Sequence, residues 1–238
     1  MPQSSRPAPA DQRFLDLVHA IISGNDGTVA DLVDTSPALV REQAAVGATR
    51  NGPDNYFFEA IAHYMYAGDT ALHMAAASFQ HGIVQTLIDR GADCSARNRR
   101  GAQPLHYAAD SNVWKPAAQA ATIDRLIRAG ADPNATDKSG VPPLHRAVRT
   151  RCAAAVEALL AGGAEPRGRN KHGSAPLHLE SPKSVLRANV QTMLAPQRFR
   201  KGDPVKHSAG IDVPLGNHTV PEFDCVIPAE FVSSFLQR

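Results

Sequence analysis

Four tetrapeptides in this chain carry a Leu-His pair: TALH at 70–73, QPLH at 103–106, PPLH at 142–145 and APLH at 175–178, spaced 33, 39 and 33 residues apart. A catalytic centre needs one constellation of side chains. Four copies at a near-constant interval point instead to four copies of a structural unit. Residues 68–100, 101–139 and 140–172 each run Gly-x-x-x-Leu-His-x-Ala, then an apolar stretch, then Gly-Ala-Asp or Gly-Ala-Glu, and Gly173 opens a fourth copy.

Each piece of the unit has a readable role. Ala71, Pro104, Pro143 and Pro176 precede Leu-His, in a helix's first turn, where proline's missing N–H has no helical partner to lose. Thr70 suits the N-cap of the first such helix. Val84, Leu87 and Ile88 have the i, i+3, i+4 spacing of a second helix. Gly91, Gly130 and Gly163 then stand where a left-handed residue closes that helix. A two-helix unit of this size cannot bury its apolar face alone and requires a stacked neighbour.

With Leu72-His73, Leu105-His106, Leu144-His145 and Leu177-His178 as its signature, the unit resembles the ankyrin repeat, whose motif is T-P-L-H-x-A. The resemblance covers 68–179. It implies an all-α solenoid of stacked helix-turn-helix units with hairpin finger loops. It also implies that each motif histidine hydrogen-bonds backbone and joins neighbouring units. Gln103, Pro142 and Ala175 stand where the family has Thr, and a lost cap costs about 0.5–2 kcal/mol.

The expected organisation is a disordered N-terminus over 1–10 and a repeat domain over 11–195, followed by an irregular tail over 196–238. Within the domain, 11–40 reads as a degenerate capping repeat with stripes Phe14, Leu15, Val18, Ile21 or Ile22, and Val29, Leu32, Val33. Residues 41–67 are an insertion, 68–100, 101–139 and 140–172 are clear repeats, and 173–195 is a partial one. The second unit carries six extra residues within DSNVWKPAAQAA. DNYFFEAIAHYMYAGD (54–69) is expected as a helix, with Phe57, Ile61 and Tyr64 as a stripe and Phe57, Phe58 and Tyr64 buried. Further helices are expected over 181–194, capped by Ser181, and over 227–238.

The net charge of +2 does not by itself select a nucleic-acid or membrane partner. Cys94, Cys152 and Cys225 form no CxxC pair, which suits a reducing compartment. MPQSSRPAPA lacks the apolar run of a secretory signal, and no stretch approaches a membrane span. A cytoplasmic monomer is the expectation. The motif histidines fall in different units and lack the short pairing of zinc ligands, so neither a metal nor a cofactor is expected. There is no G-x-S-x-G elbow and no P-loop, so no catalytic residues are assigned and the chain reads as a non-enzyme.

The resemblance places binding on finger tips and on the inner faces of first helices. The fingers here are SARNRRGA, NATDKSGV and PRGRNKHG, with seven Lys or Arg against one acid. Candidate partner-binding residues are Arg97, Arg99, Arg100, Lys138, Arg167, Arg169 and Lys171, with Arg146 and Arg149 from the third unit's first helix and Trp114 from the second insertion. A one-signed ridge steers an oppositely charged partner. The expected function is protein–protein interaction, as an adaptor or inhibitor of a partner with an acidic surface. Nucleic acid is the alternative occupant, less favoured because the fingers lack interleaved aromatics. An enzyme site in the insertion or tail is the third possibility.

Overall fold

The computed structural model describes residues 9–49, 56–110 and 113–176. Leu177, His178, the helices expected over 181–194 and 227–238, Cys225 and the tail lie outside the described residues. Among the described residues, eight α-helices form four antiparallel pairs. The pairs are α1 (Pro9–Ile22) with α2 (Asp26–Thr35), α3 (Ala71–Ala77) with α4 (His81–Asp89), α5 (Pro104–Ala108) with α6 (Pro116–Arg128), and α7 (Pro143–Arg149) with α8 (Ala153–Ala161). α1 begins at Pro9, inside the stretch read as a disordered terminus.

First helices pack on first helices, in the order α1, α3, α5, α7, and second helices form the parallel row α2, α4, α6, α8. Small side chains make this possible. Ala71, Ala75, Ala76 and Ala77 of α3 are all buried, as are Ala108 and Ala147 at matching places. Between the two rows lie Leu17, Ile21, Val29, Leu72, Val84, Leu87, Leu105, Ile123, Leu126, Leu144, Val156 and Leu159, each 1% exposed or less. In the first pair Phe14, Val18 and Ile21 are buried on α1 and Val29 and Val33 on α2, while Leu15 and Leu32 are half-buried. Asn25 caps α2 by accepting from the Thr28 N–H at 3.1 Å.

Second helices end as anticipated. Gly91, Gly130 and Gly163 have φ of +88°, +94° and +93°. The following N–H of Ala92, Ala131 and Ala164 returns to the carbonyl of Leu87, Leu126 and Leu159, satisfying acceptors the helix end would leave open.

The insertion is a correction. Residues 57–64 form a small hairpin in place of a helix: β1 (Phe57–Phe58) pairs antiparallel with β2 (His63–Tyr64), around a 3₁₀ turn over Glu59–Ile61. Ala62, at φ +46°, reverses the chain there. The i, i+4, i+7 stripe was coincidental, and the Tyr and Phe side chains fit a pleated surface instead. Their expected burial is also only partly met. Phe57 is 37% exposed, Phe58 and Tyr64 are half-buried, and Ile61 and Met65 are the residues that enter the core. The preceding strand-like segment is tied to 65–69: Ala48 N–H donates to Met65 O, Ala44 N–H to Asp69 O, and Gly68 N–H to Ala44 O.

Candidate functional site

The motif histidines join the units. Nδ1 of His73 accepts the Thr70 N–H at 3.1 Å, so its Nε2 carries the proton and donates to Ala102 O of the next unit, also at 3.1 Å. His106 repeats this with the Gln103 N–H and Val141 O. His145 Nε2 reaches Ser174 O at 2.8 Å. Its Nδ1 has no partner among the described residues, because the residue at the equivalent cap is Pro142, which has no N–H. Burial holds all three rings below the usual imidazole range, His106 down to about 4. Neutral rings are what this bonding needs.

The fingers stack as a second column. A device invisible to the Leu-His alignment closes each one. Asn98 Oδ1 accepts from the N–H groups of Arg100 and Ala102. Asp137 does the same for Ser139 and Val141, and Asn170 for His172 and Ser174. The Asn/Asp-x-x-Gly spacing is the signal that finds it. The glycine that follows, Gly101 or Gly140, has positive φ, and a Cβ there would stand 2.9 or 2.8 Å from the amide nitrogen of Lys138 or Lys171 in the next finger. Adjacent fingers thus touch backbone to backbone, and Lys138 N–H donates to Arg100 O at 2.9 Å.

This packing puts Arg99, Lys138 and Lys171, each one residue past the closing Asn or Asp, in a single exposed column. Arg97 and Arg169, one residue before it, share a role. Arg97 donates to Gly101 O and Thr136 O, and Arg169 to Gly173 O. Arg99 also donates to Ala48 O of the insertion. The side chains of Lys138, Arg167 and Lys171 are exposed and have no hydrogen bond or ion pair among the described residues.

Arg146 behaves differently from its expected place on the ridge. It is 9% exposed and its guanidinium is held by Asp110 at 2.5 Å and Asp137 at 2.8 Å. Burial opposes its charge, yet the two carboxylates more than compensate and its pKa rises. Burial likewise pushes Asp137 up, but the Val141 N–H and Arg146 outweigh it and hold its carboxyl below the usual range. The charge of Arg146 is therefore answered inside the chain, tying α7 to the end of α5 and to the second finger. Arg149 remains largely exposed and shares Asp110, at 2.9 Å. Trp114 is 50% exposed.

The hairpin lies on the row of first helices. Phe58 meets His19 of α1 edge-on at 5.5 Å, and the His63 ring is 4.4 Å from Tyr107 of α5. Beneath it, Asp69 is fully buried and accepts from Tyr107 Oη, Asn98 Nδ2 and the Tyr66 N–H. Burial and Asp69 together keep the Tyr107 hydroxyl protonated. At the hairpin's edge opens a cleft of about 450 Å³ lined by Tyr64, Tyr66, Arg100, Asp110, Arg149 and Thr150 among others. Sequence reasoning named the arginines but missed Asp69, Tyr107 and Asp110, whose roles arise from contacts 29 to 39 residues apart.

Among the described residues, no three His, Cys, Asp or Glu side chains are grouped to hold a metal ion. No described helix is long and apolar enough to cross a membrane. Family models match three stretches. "Ankyrin repeats (3 copies)" covers 15–115, "Ankyrin repeat" covers 100–138, and "Ankyrin repeats (many copies)" covers 126–179. No curated protein matches the chain. Matched from residue 15 to residue 179 by family models that agree with the observed stacking, the chain belongs to the ankyrin-repeat family.

Proposed function

We propose that this protein is a non-catalytic scaffold that binds another protein, and that the partner presents an acidic surface to the finger ridge. Ankyrin repeats generally mediate protein–protein interaction, and their families are typically non-catalytic. The observation that carries the finer reading is the periodic column Arg99, Lys138 and Lys171, joined by Arg100 and Arg167. Neighbouring fingers touch backbone to backbone at these positions, so finger packing holds like charges on adjacent fingers. Like charges so held repel, and an acidic surface laid across the fingers would relieve that repulsion and gain charge-assisted hydrogen bonds. Arg146 is not part of this surface, since Asp110 and Asp137 already neutralise it.

The test is capture from nuclease-treated lysate at about 0.15 M salt, comparing the wild type with the triple variant Lys138→Gln, Arg167→Gln, Lys171→Gln. Those side chains make no described hydrogen bond or ion pair, so the variant should fold normally, as circular dichroism will check. A protein held by the wild type and lost by the folded variant supports the ridge. Equal capture by both defeats it, and capture seen only in a parallel lysate left without nuclease moves the reading to nucleic acid.

A further inference from the structure

We infer that the cleft between the inserted hairpin and α7 receives one carboxylate side chain of the partner, an Asp or Glu, seated on Arg100 with an adjoining apolar or aromatic group against Tyr64 and Tyr66. This rests on the reading of the ridge as a protein-binding surface, and it names the anchor point within that surface.

Of the three arginines that line the cleft, one has no described carboxylate partner. Asp110 and Asp137 are matched by Arg146 and Arg149. Arg100 has no carboxylate and no side-chain hydrogen bond among the described residues. Its guanidinium carbon stands 4.9 Å from the centre of the Tyr66 ring, with that of Arg99 at 5.6 Å. An arginine resting on an aromatic face is held in place with its in-plane N–H donors still free, and that fork matches a carboxylate bidentately. Preorganisation of this kind lowers the entropy lost on binding.

The wall is aromatic and braced. Tyr64 contacts Phe57 at 4.7 Å and Tyr66 at 6.3 Å. The Tyr66 N–H is tied to buried Asp69 at 2.6 Å. Rigid tyrosines give large contact area at small entropic cost. The floor limits the ligand's charge. Asp110 lines the same cleft and occupies donors of Arg146 and Arg149, which leaves Arg100 as the one lining guanidinium open to an incoming group, so a single carboxylate fits better than a run of phosphates. The hairpin that makes the wall is no part of the repeating unit, so the pocket belongs to this chain's insertion.

The experiment pans a phage-displayed random-peptide library on the full chain, resynthesises the enriched peptides, and measures their affinity for the wild type, Arg100→Gln, Tyr66→Leu and the Lys138/Arg167/Lys171 triple variant. The expected peptides share an Asp or Glu beside an aromatic or large aliphatic residue. Arg100→Gln should weaken them about tenfold, the scale of a charge-assisted hydrogen bond. Changing the peptide's acid to its amide should cost the wild type a similar factor and cost Arg100→Gln almost nothing, since the two changes remove one interaction. Tyr66→Leu should weaken binding with the acid dependence reduced. Peptides that ignore Arg100 and Tyr66 but lose affinity for the triple variant overturn the pocket and leave the ridge standing. Peptides indifferent to all the variants overturn both, and a library that yields no binder overturns the pocket.

Discussion

At the scale of single residues, backbone and cap chemistry decide what each position contributes. His73 and His106 sit at identical places in their units and each completes two bonds. His145 completes one, because proline occupies the cap before it. Pro142→Thr should restore an N–H to Nδ1 and add a hydroxyl cap, stabilising the chain by about 1 kcal/mol. Urea unfolding measures this, and an unchanged midpoint would refute the account. Arg151 poses a separate case. It is exposed, with φ +59°, at the turn between α7 and α8. A left-handed residue other than glycine costs about 1–2 kcal/mol, while glycine loses about 0.5–1 kcal/mol of that to chain entropy. Arg151→Gly is therefore expected to raise stability by about 0.5–1 kcal/mol in the same assay, and a loss would show that the Arg151 side chain makes a stabilising contact.

At the scale of elements, the units hold together through a few defined links, and the buried ion group between α5, α7 and the second finger is the most polar of them. Removing one member of a buried pair strands the charge that remains, at about 3–5 kcal/mol. Arg146→Leu should destabilise the chain by that order, with the third repeat and second finger losing hydrogen-exchange protection first. If instead Arg146→Leu leaves stability intact and abolishes partner capture, Arg146 is a binding residue and its pairing is incidental. The inserted hairpin shows how an element can defeat a periodicity argument. Phe57, Ile61 and Tyr64 have helical spacing, yet only Ile61 is buried. The hairpin is held by rings on α1 and α5, and residues 65–69 that follow it by bonds to 44–48, partners too distant in sequence for a local window to contain.

At the scale of the whole molecule, a line of buried neutral imidazoles makes the array acid-sensitive. Burial keeps His63, His73, His106 and His145 below their ordinary value. The unfolded chain binds protons near pH 6.5, while folded His106 does so only near 4. Stability is therefore fully present above about 6.5 and is lost as pH falls toward 4, because the unfolded state takes up the protons first. For His106 alone the loss between pH 7 and pH 5 is about 2 kcal/mol. Denaturant midpoints across that range should fall on acidification, and His106→Gln should flatten part of the slope. A flat profile in the wild type would contradict neutral, buried rings. Since each unit touches only its neighbours, protonation at one joint should loosen the adjoining pairs together.

The sequence by itself determined the repeat, its register and its punctuation. Leu-His, the closing glycines and the basic fingers are local patterns, and their physical causes, capping, left-handed turns and helical periodicity, act within a few residues. It also placed Arg99, Lys138 and Lys171 at one repeat position, so their alignment followed once units stacked. Only the tertiary structure decided which charges are free. Arg146 and Arg149 look alike in the string RAVR, yet one is enclosed between Asp110 and Asp137 and the other reaches solvent. Likewise Arg100 became a presented cation only when Tyr66 was brought against it from 34 positions earlier in the chain. Burial and long-range pairing set the energy of a charge, and neither is a property of its neighbours in sequence.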